Sequence, residues 1–299
     1  MGFFKRHSGR ASYNLLANYN HFMPGYLDLL WIVILMALGT FIGSYFVEIF
    51  SFGGVAQDAQ TYGMLIAYPL TFIPAMIFAS VKSRQNEGFE DGYAIDNRNF
   101  GSHRGITMAF AATVLILAAA IIIEPVGILL PEMPEEMKEM LEILLEGPVW
   151  VSFISASIFA PFFEEWLCRG IILRGMLQKT RPAWAILISA LFFALIHMNL
   201  WQAVPAFLMG LFFGYVYYKT GSLKLTMLMH FVNNTLVLVL SNTPSLKDTE
   251  YIWEALSPWA YGGLYVLAII ALISGIILIK SLPQKEGDLG GCRKIASLL

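Results

Sequence analysis

The sequence predicts an all-α fold, a polytopic membrane bundle of about eight transmembrane helices with both termini on the cytoplasmic side. Three observations lead there. The chain is 57% hydrophobic and 13% charged, with a mean hydropathy of +0.64, whereas a soluble domain carries about 25% charged residues. Its apolar residues gather into runs able to cross a hydrocarbon core about 30 Å thick. The basic residues then sort to one side of the resulting topology. No period-2 alternation accompanies the runs, which excludes a β-barrel.

The runs lie at 27–50, 62–81, 105–130, 148–168, 183–200, 202–219, 223–241 and 259–280. The fourth can continue helically to about residue 178. With the N-terminus inside, the inner segments hold Lys5, Arg6 and Arg10, then Lys82, Arg84, Arg98 and Arg104, then Arg169, Arg174, Lys179 and Arg181. Lys219 and Lys224 follow, then Lys280, Lys285, Arg293 and Lys294. Only Lys138 and Lys247 fall outside, so 17 of the 19 Lys and Arg share one side, the bias that sets membrane orientation. An odd helix count would scatter them.

Residues 1–26 are too polar and aromatic for a signal peptide, so the first helix is expected to stay as an anchor. The net charge of −2 is sorted by side and points to no nucleic acid; membrane lipid is the expected surrounding, in a multi-pass protein of the plasma (inner) membrane. Cys168 and Cys292 imply no disulfide framework, and Cys168 reads as a small buried thiol.

Two connections stand out. Residues 82–104 form a polar loop with both charge signs, read as a solvated connector. In 131–147, Met137, Met140, Leu141 and Leu144 follow i, i+3, i+4, i+7, which predicts a short amphipathic helix at the interface. The organisation expected is one integrated membrane domain: helices one to three over 1–144, helices four to seven over 145–242, and the last helix with its tail over 243–299.

Within helix four, the stretch Glu164-Glu165-Trp-Leu-Cys-Arg169 places three charges in an apolar setting. Each costs about 2.5–3.5 kcal/mol at the centre of a bilayer helix, so compensation is required. Glu165 and Arg169 are i,i+4 neighbours and can pair across one turn. Glu164 is rotated about 100° away and free for chemistry. Arg169 also needs a wet cavity or acidic partners. Helix five ends Phe193-x-x-x-His197, and helix seven contains His230-x-x-x-Asn234, again with one helical turn between the paired side chains. A lone membrane histidine is usually structural, and a lone Asn is usually helix–helix glue worth about 1 kcal/mol. Two acids, two histidines and an amide on three helices are harder to explain as glue.

Glu164-Glu165-x-x-x-Arg169, Phe193-x-x-x-His197 and His230-x-x-x-Asn234, in that order on successive membrane helices, resemble the three motifs of the CPBP intramembrane protease family. That family comprises type II CAAX prenyl endopeptidases and Abi-type proteins of bacteriocin processing or immunity. The resemblance covers roughly residues 145–242. It implies an intramembrane endopeptidase that attacks peptide bonds of membrane-associated or prenyl-CAAX-like substrates with activated water. Carried over by motif, Glu164 is the general base, His197 helps hold and polarise the water, and His230 and Asn234 stabilise the oxyanion. Glu165, Arg169 and Phe193 support them. Glu164, His197 and His230 could instead hold a catalytic zinc, but no His-Glu-x-x-His pair is present and the ligands would have to converge from three helices. Glutamate-activated water without a metal is therefore preferred.

Counted from the inner basic residues at about 1.5 Å per residue, Glu164 and Asn234 lie about 15 Å deep, His230 about 9 Å and His197 over 20 Å. Tilted or broken helices must close that spread. A water-filled cone open to the cytoplasm would do so and would admit a peptide substrate from the cytoplasm or the membrane. A non-catalytic scaffold or immunity-type protein is the alternative. A transporter is a further one, although no inverted repeat supports it. Gly210 and Gly214 in helix six predict a close internal helix contact.

Overall fold

The computed structural model describes residues 15–52, 56–89, 92–138, 147–246, 249 and 251–282, and every regular element among them is helical. Eight helices organise the chain: α1 (Tyr26–Phe52), α2 (Ala56–Asn86), α3 (Gly105–Ile123), α4 (Val149–Leu177), α5 (Pro182–Leu195), α6 (Leu200–Thr220), α7 (Leu223–Ser241) and α8 (Pro258–Lys280). All except α5 belong to spans long and apolar enough to cross a bilayer. The protein is an integral, multi-pass membrane protein. The apolar face of α1 and most of α8 point outward, as lipid-facing surfaces do, with Leu27, Phe41, Val266 and Leu267 exposed.

The run at 183–200 corrects one expectation. Its apolar length predicts a full span, yet α5 has 14 residues and is about 21 Å long. Polar residues stop it. Met198 turns into the left-handed region at φ +57°, and Asn199 then caps α6 by accepting a hydrogen bond from the Gln202 N–H at 2.9 Å. Gly210 and Gly214 of α6 lie directly against Ala190 and Ile186 of α5, where a Cβ on Gly210 would meet Ala190 Cα at 3.0 Å.

The loop expected to be a solvated connector is largely docked. The helix before it runs to Asn86, and residues 95–99 lie against the α6–α7 turn. Asn97 N–H donates to Gly221 O at 2.8 Å, Asn99 N–H to Thr220 O at 2.9 Å, and Tyr217 Oη to Ile95 O at 2.7 Å. Gly221 sits at φ +65°, and a Cβ there would fall 2.2 Å from Asn97 O, so glycine is needed for both conformation and approach. Of the interfacial helix expected over 131–147, residues 135–138 are helical, and 139–146 lie outside the described residues.

Arg174 is not the surface residue that the depth count from sequence took it for. It is 1% exposed, and its guanidinium donates to the carbonyls of Tyr19 at 2.6 Å, Phe22 at 2.8 Å and Tyr93. A residue counted as a surface anchor is thus a buried clamp that ties two inner segments to α4. Thr220, Ser222 and Leu223 are likewise buried beneath residues 95–99. Lys224, the other residue counted from, keeps 76% of its side chain exposed, so only the count for Glu164 starts from a buried residue. Among the described residues no cone opens along this part of α4, for Trp166, Leu167, Ile171, Leu173, Met176 and Leu177 have no exposure at all.

Arg174→Ala would remove the guanidinium donor from the carbonyls of Tyr19, Phe22 and Tyr93. Residues 15–22 and 92–98 are expected to exchange amide hydrogens faster in deuterium exchange, while α5 and α6 keep native protection.

Candidate active site

The site grows from irregular winding in α4. Its Ala160–Glu165 segment is α-helical, but Phe153–Phe159 and Trp166–Leu173 on either side are π-helical, with i→i+5 hydrogen bonds. In that winding the backbone donor for Ala156 O would be residue 161, which is a proline without an N–H. Asn234 of α7 takes the place, donating Nδ2–H to Ala156 O at 2.8 Å. On the other side, Ser189 of α5 donates to Cys168 O at 2.8 Å. Side chains from two neighbours thus enter the α4 ladder on both sides of the paired acids, a recognised cause of irregular helices.

Glu165 is fully buried and ion-paired with Arg169 at 2.8 Å. Arg169 needs no wet cavity. A second nitrogen donates to Gly210 O at 3.0 Å, and the guanidinium stands 4.5 Å from the Phe193 ring centroid and 5.2 Å from that of Phe213. Cation–π contact with two rings, one from α5 and one from α6, compensates the buried charge. His230 lies between the two carboxylates, with Nδ1 3.2 Å from Glu165 Oε1 and Nε2 3.9 Å from Glu164 Oε2. A carboxylate without a proton only accepts, so Nδ1 carries hydrogen toward Glu165. Phe193 and Phe213 also flank the His230 ring, with centroids at 5.4 and 5.6 Å.

Glu164 is 7% exposed. Its Oε1 accepts a hydrogen bond from the Tyr68 hydroxyl of α2, and its Oε2 has no hydrogen-bond partner among the described residues. Glu164, Glu165, Arg169, Phe193 and His230 therefore form one contiguous cluster. His197 stands apart, half-buried at the end of α5, with the Phe193 ring between it and His230. Its Nδ1 donates to Phe193 O at 2.8 Å, which leaves the Nε2 lone pair of the neutral ring for a ligand or water. Asn234 faces the Ala156 carbonyl one helical turn from His230, and its Oδ1 accepts from Asn233 at 3.2 Å.

Sequence reasoning missed Tyr68 and both π segments. Pro161 within an apolar run was the available signal for the first segment. Nothing in the spacing of Tyr68 marks it, because its partner is 96 positions away. Among the described residues, no three His, Cys, Asp or Glu side chains converge as ligands of one ion. Tyr68 engages Glu164 Oε1 and Phe193 O takes the His197 Nδ1 hydrogen, so Glu164 Oε2 and His197 Nε2 are the atoms left to a ligand.

Residues 146–236 match the family described as type II CAAX prenyl endopeptidase Rce1-like. The match covers about a third of the chain. The matched stretch takes in α4 to most of α7, including every motif residue, and supports the CPBP resemblance. The chain is also 28% identical over 110 residues to "Putative membrane peptidase YdiL" of Bacillus subtilis (strain 168). That alignment covers 37% of this chain and 44% of the relative, so the chain spans under half of the relative's length. No solved structure matches the chain.

Arg169→Gln would leave Glu165 charged in an apolar site and is expected to cost about 3–5 kcal/mol of stability. Adding Glu165→Gln removes the orphaned charge and is expected to recover much of the loss. Detergent melting curves of the two single variants and the double variant check this, and strictly additive losses would refute the coupling.

Proposed function

We propose that the protein is an intramembrane endopeptidase of the CAAX-protease type in which Glu164 activates water. The observation that carries this reading is the pairing of an unpartnered Glu164 Oε2 with His230 Nε2 at 3.9 Å, enclosed by membrane helices. That separation is too long for a direct hydrogen bond, and since Oε2 is closed to solvent, a water bridging the two enters as substrate opens the site. Glu164 Oε2 takes a proton from the water as its oxygen bonds to the scissile carbonyl carbon. The carbonyl becomes an oxyanion. When the C–N bond breaks, the proton passes from Glu164 to the leaving amine.

In this mechanism His230 shares the water with Glu164, held by its Nδ1–H bond to Glu165. Asn234 has given one amide hydrogen to Ala156 and keeps the other for the oxyanion. His197 offers Nε2 to the substrate or to the water as the site closes. A fixed donor at an oxyanion contributes about 3–4 kcal/mol in sites that exclude water. No step is routed through a metal. If zinc is bound in the membrane, Glu164, His197 and His230 are the side chains that would have to move together to hold it.

Substrates are proposed to be membrane-anchored polypeptides, with prenylated CAAX tails as the class the family suggests. They enter laterally beside the α5–α6 turn, where Leu195 and Met198 are 67% and 90% exposed, since the inner helix ends are covered.

The test compares peptide termini of membrane proteins in cells carrying the native chain and in cells carrying Glu164→Ala at matched levels. Termini present only with the native chain are expected, and they name the substrate. Identical sets would remove the protease reading and leave the scaffold reading in its place. Purified protein acting on the substrate so found is expected to keep its activity after chelator treatment. Loss on chelation with recovery on added zinc would replace the metal-free mechanism.

A further inference from the structure

Among the described residues, Tyr68 is the polar contact of the site that comes from outside the family-matched segment 146–236. Its hydroxyl donates to Glu164 Oε1, and its ring packs with Phe72 at 5.6 Å and with Phe163 of α4 at 6.5 Å. Phe72 and Phe163 in turn stack on each other at 5.3 Å. The segment of α2 that carries Tyr68 is pinned from behind. Gly39 of α1 lies so close that a Cβ would fall 2.4 Å from Leu70 O and 2.6 Å from Thr71 O, while Gly43 would meet Ala67 Cα at 3.0 Å. Backbone-to-backbone packing of this kind leaves α2 little freedom to shift at the level of Tyr68.

We infer that Tyr68 is a positioning residue for hydrolysis: it fixes Glu164 through Oε1 so that Oε2 is the oxygen presented to the water beside His230. This rests on the proposed role of Glu164 as the base. A carboxylate on a flexible side chain has two equivalent oxygens and several rotamers. One directed hydrogen bond removes that degeneracy before substrate arrives, and misplacing a reacting group by about 1 Å costs up to about 100-fold in rate. The α1–α2 hairpin carries none of the three motifs, and its part in catalysis is to deliver one hydroxyl to the catalytic carboxylate.

Tyr68→Phe keeps the ring against Phe72 and Phe163 and removes only the donor. With the substrate found by terminus mapping, the variant is expected to lose roughly 10- to 100-fold in kcat with KM unchanged, together with a lower melting temperature because Glu164 loses its donor. A purely structural role would lower the melting temperature while leaving kcat intact, or would act on KM alone, and would overturn the inference. Wild-type kcat in Tyr68→Phe, alongside an inactive Glu164→Ala, would also overturn it while leaving the protease reading intact. If Glu164→Ala is as active as the native chain, the base assignment fails and this inference falls with it. Infrared difference spectra of the Glu164 carboxyl group, taken against Glu164→Gln, give a readout independent of turnover. The band is expected to shift in Tyr68→Phe, and an unmoved band overturns the hydrogen bond on which the inference stands.

Discussion

Two adjacent carboxylates held out of water in one membrane helix constrain everything around them. Neither can be left bare, because an uncompensated buried charge costs far more than any single packing contact returns. Glu165 is answered by Arg169, and Arg169 by two aromatic faces and a backbone carbonyl. The carbonyl belongs to Gly210, whose missing side chain lets α6 approach α5. Glu164 is answered on one oxygen by α2 and faced on the other by α7. Helices α2, α5, α6 and α7 are therefore placed around α4 by electrostatic need as much as by apolar burial.

What the sequence disclosed follows from this. Apolar runs and charge sorting revealed the class, and the Glu165–Arg169 spacing anticipated an ion pair because a helix fixes i,i+4 neighbours locally. The remainder depended on long-range partners. Arg174 reads as a surface anchor until Tyr19, Phe22 and Tyr93 are seen to surround it. His197 and Asn234 could be placed on helices, but not with respect to Glu164, since crossing geometry is set by packing that no linear pattern encodes. The full length assigned to the fifth span failed at Met198 and Asn199, where backbone conformation and capping outweighed a run of apolar residues.

Asn234 shows that structural and chemical readings of one side chain need not compete. Its bond to Ala156 supplies the donor that Pro161 lacks and so holds the wider winding of α4. The same amide has a second hydrogen, one turn from His230. Farther out, α3 and α8 meet closely at Gly275, where a Cβ would fall 2.2 Å from Leu115 Cδ2, which frames the bundle without touching the acids.

The shortness of α5 bears on the bilayer itself. A helix of about 21 Å beside neighbours that cross a core of about 30 Å creates a hydrophobic mismatch on one flank of the protein. Lipid meets such a mismatch by thinning locally. Headgroups and their water would then be drawn toward the end of α5, where His197 stands. A deformed membrane surface would in that way bring water to His197 from the lipid side.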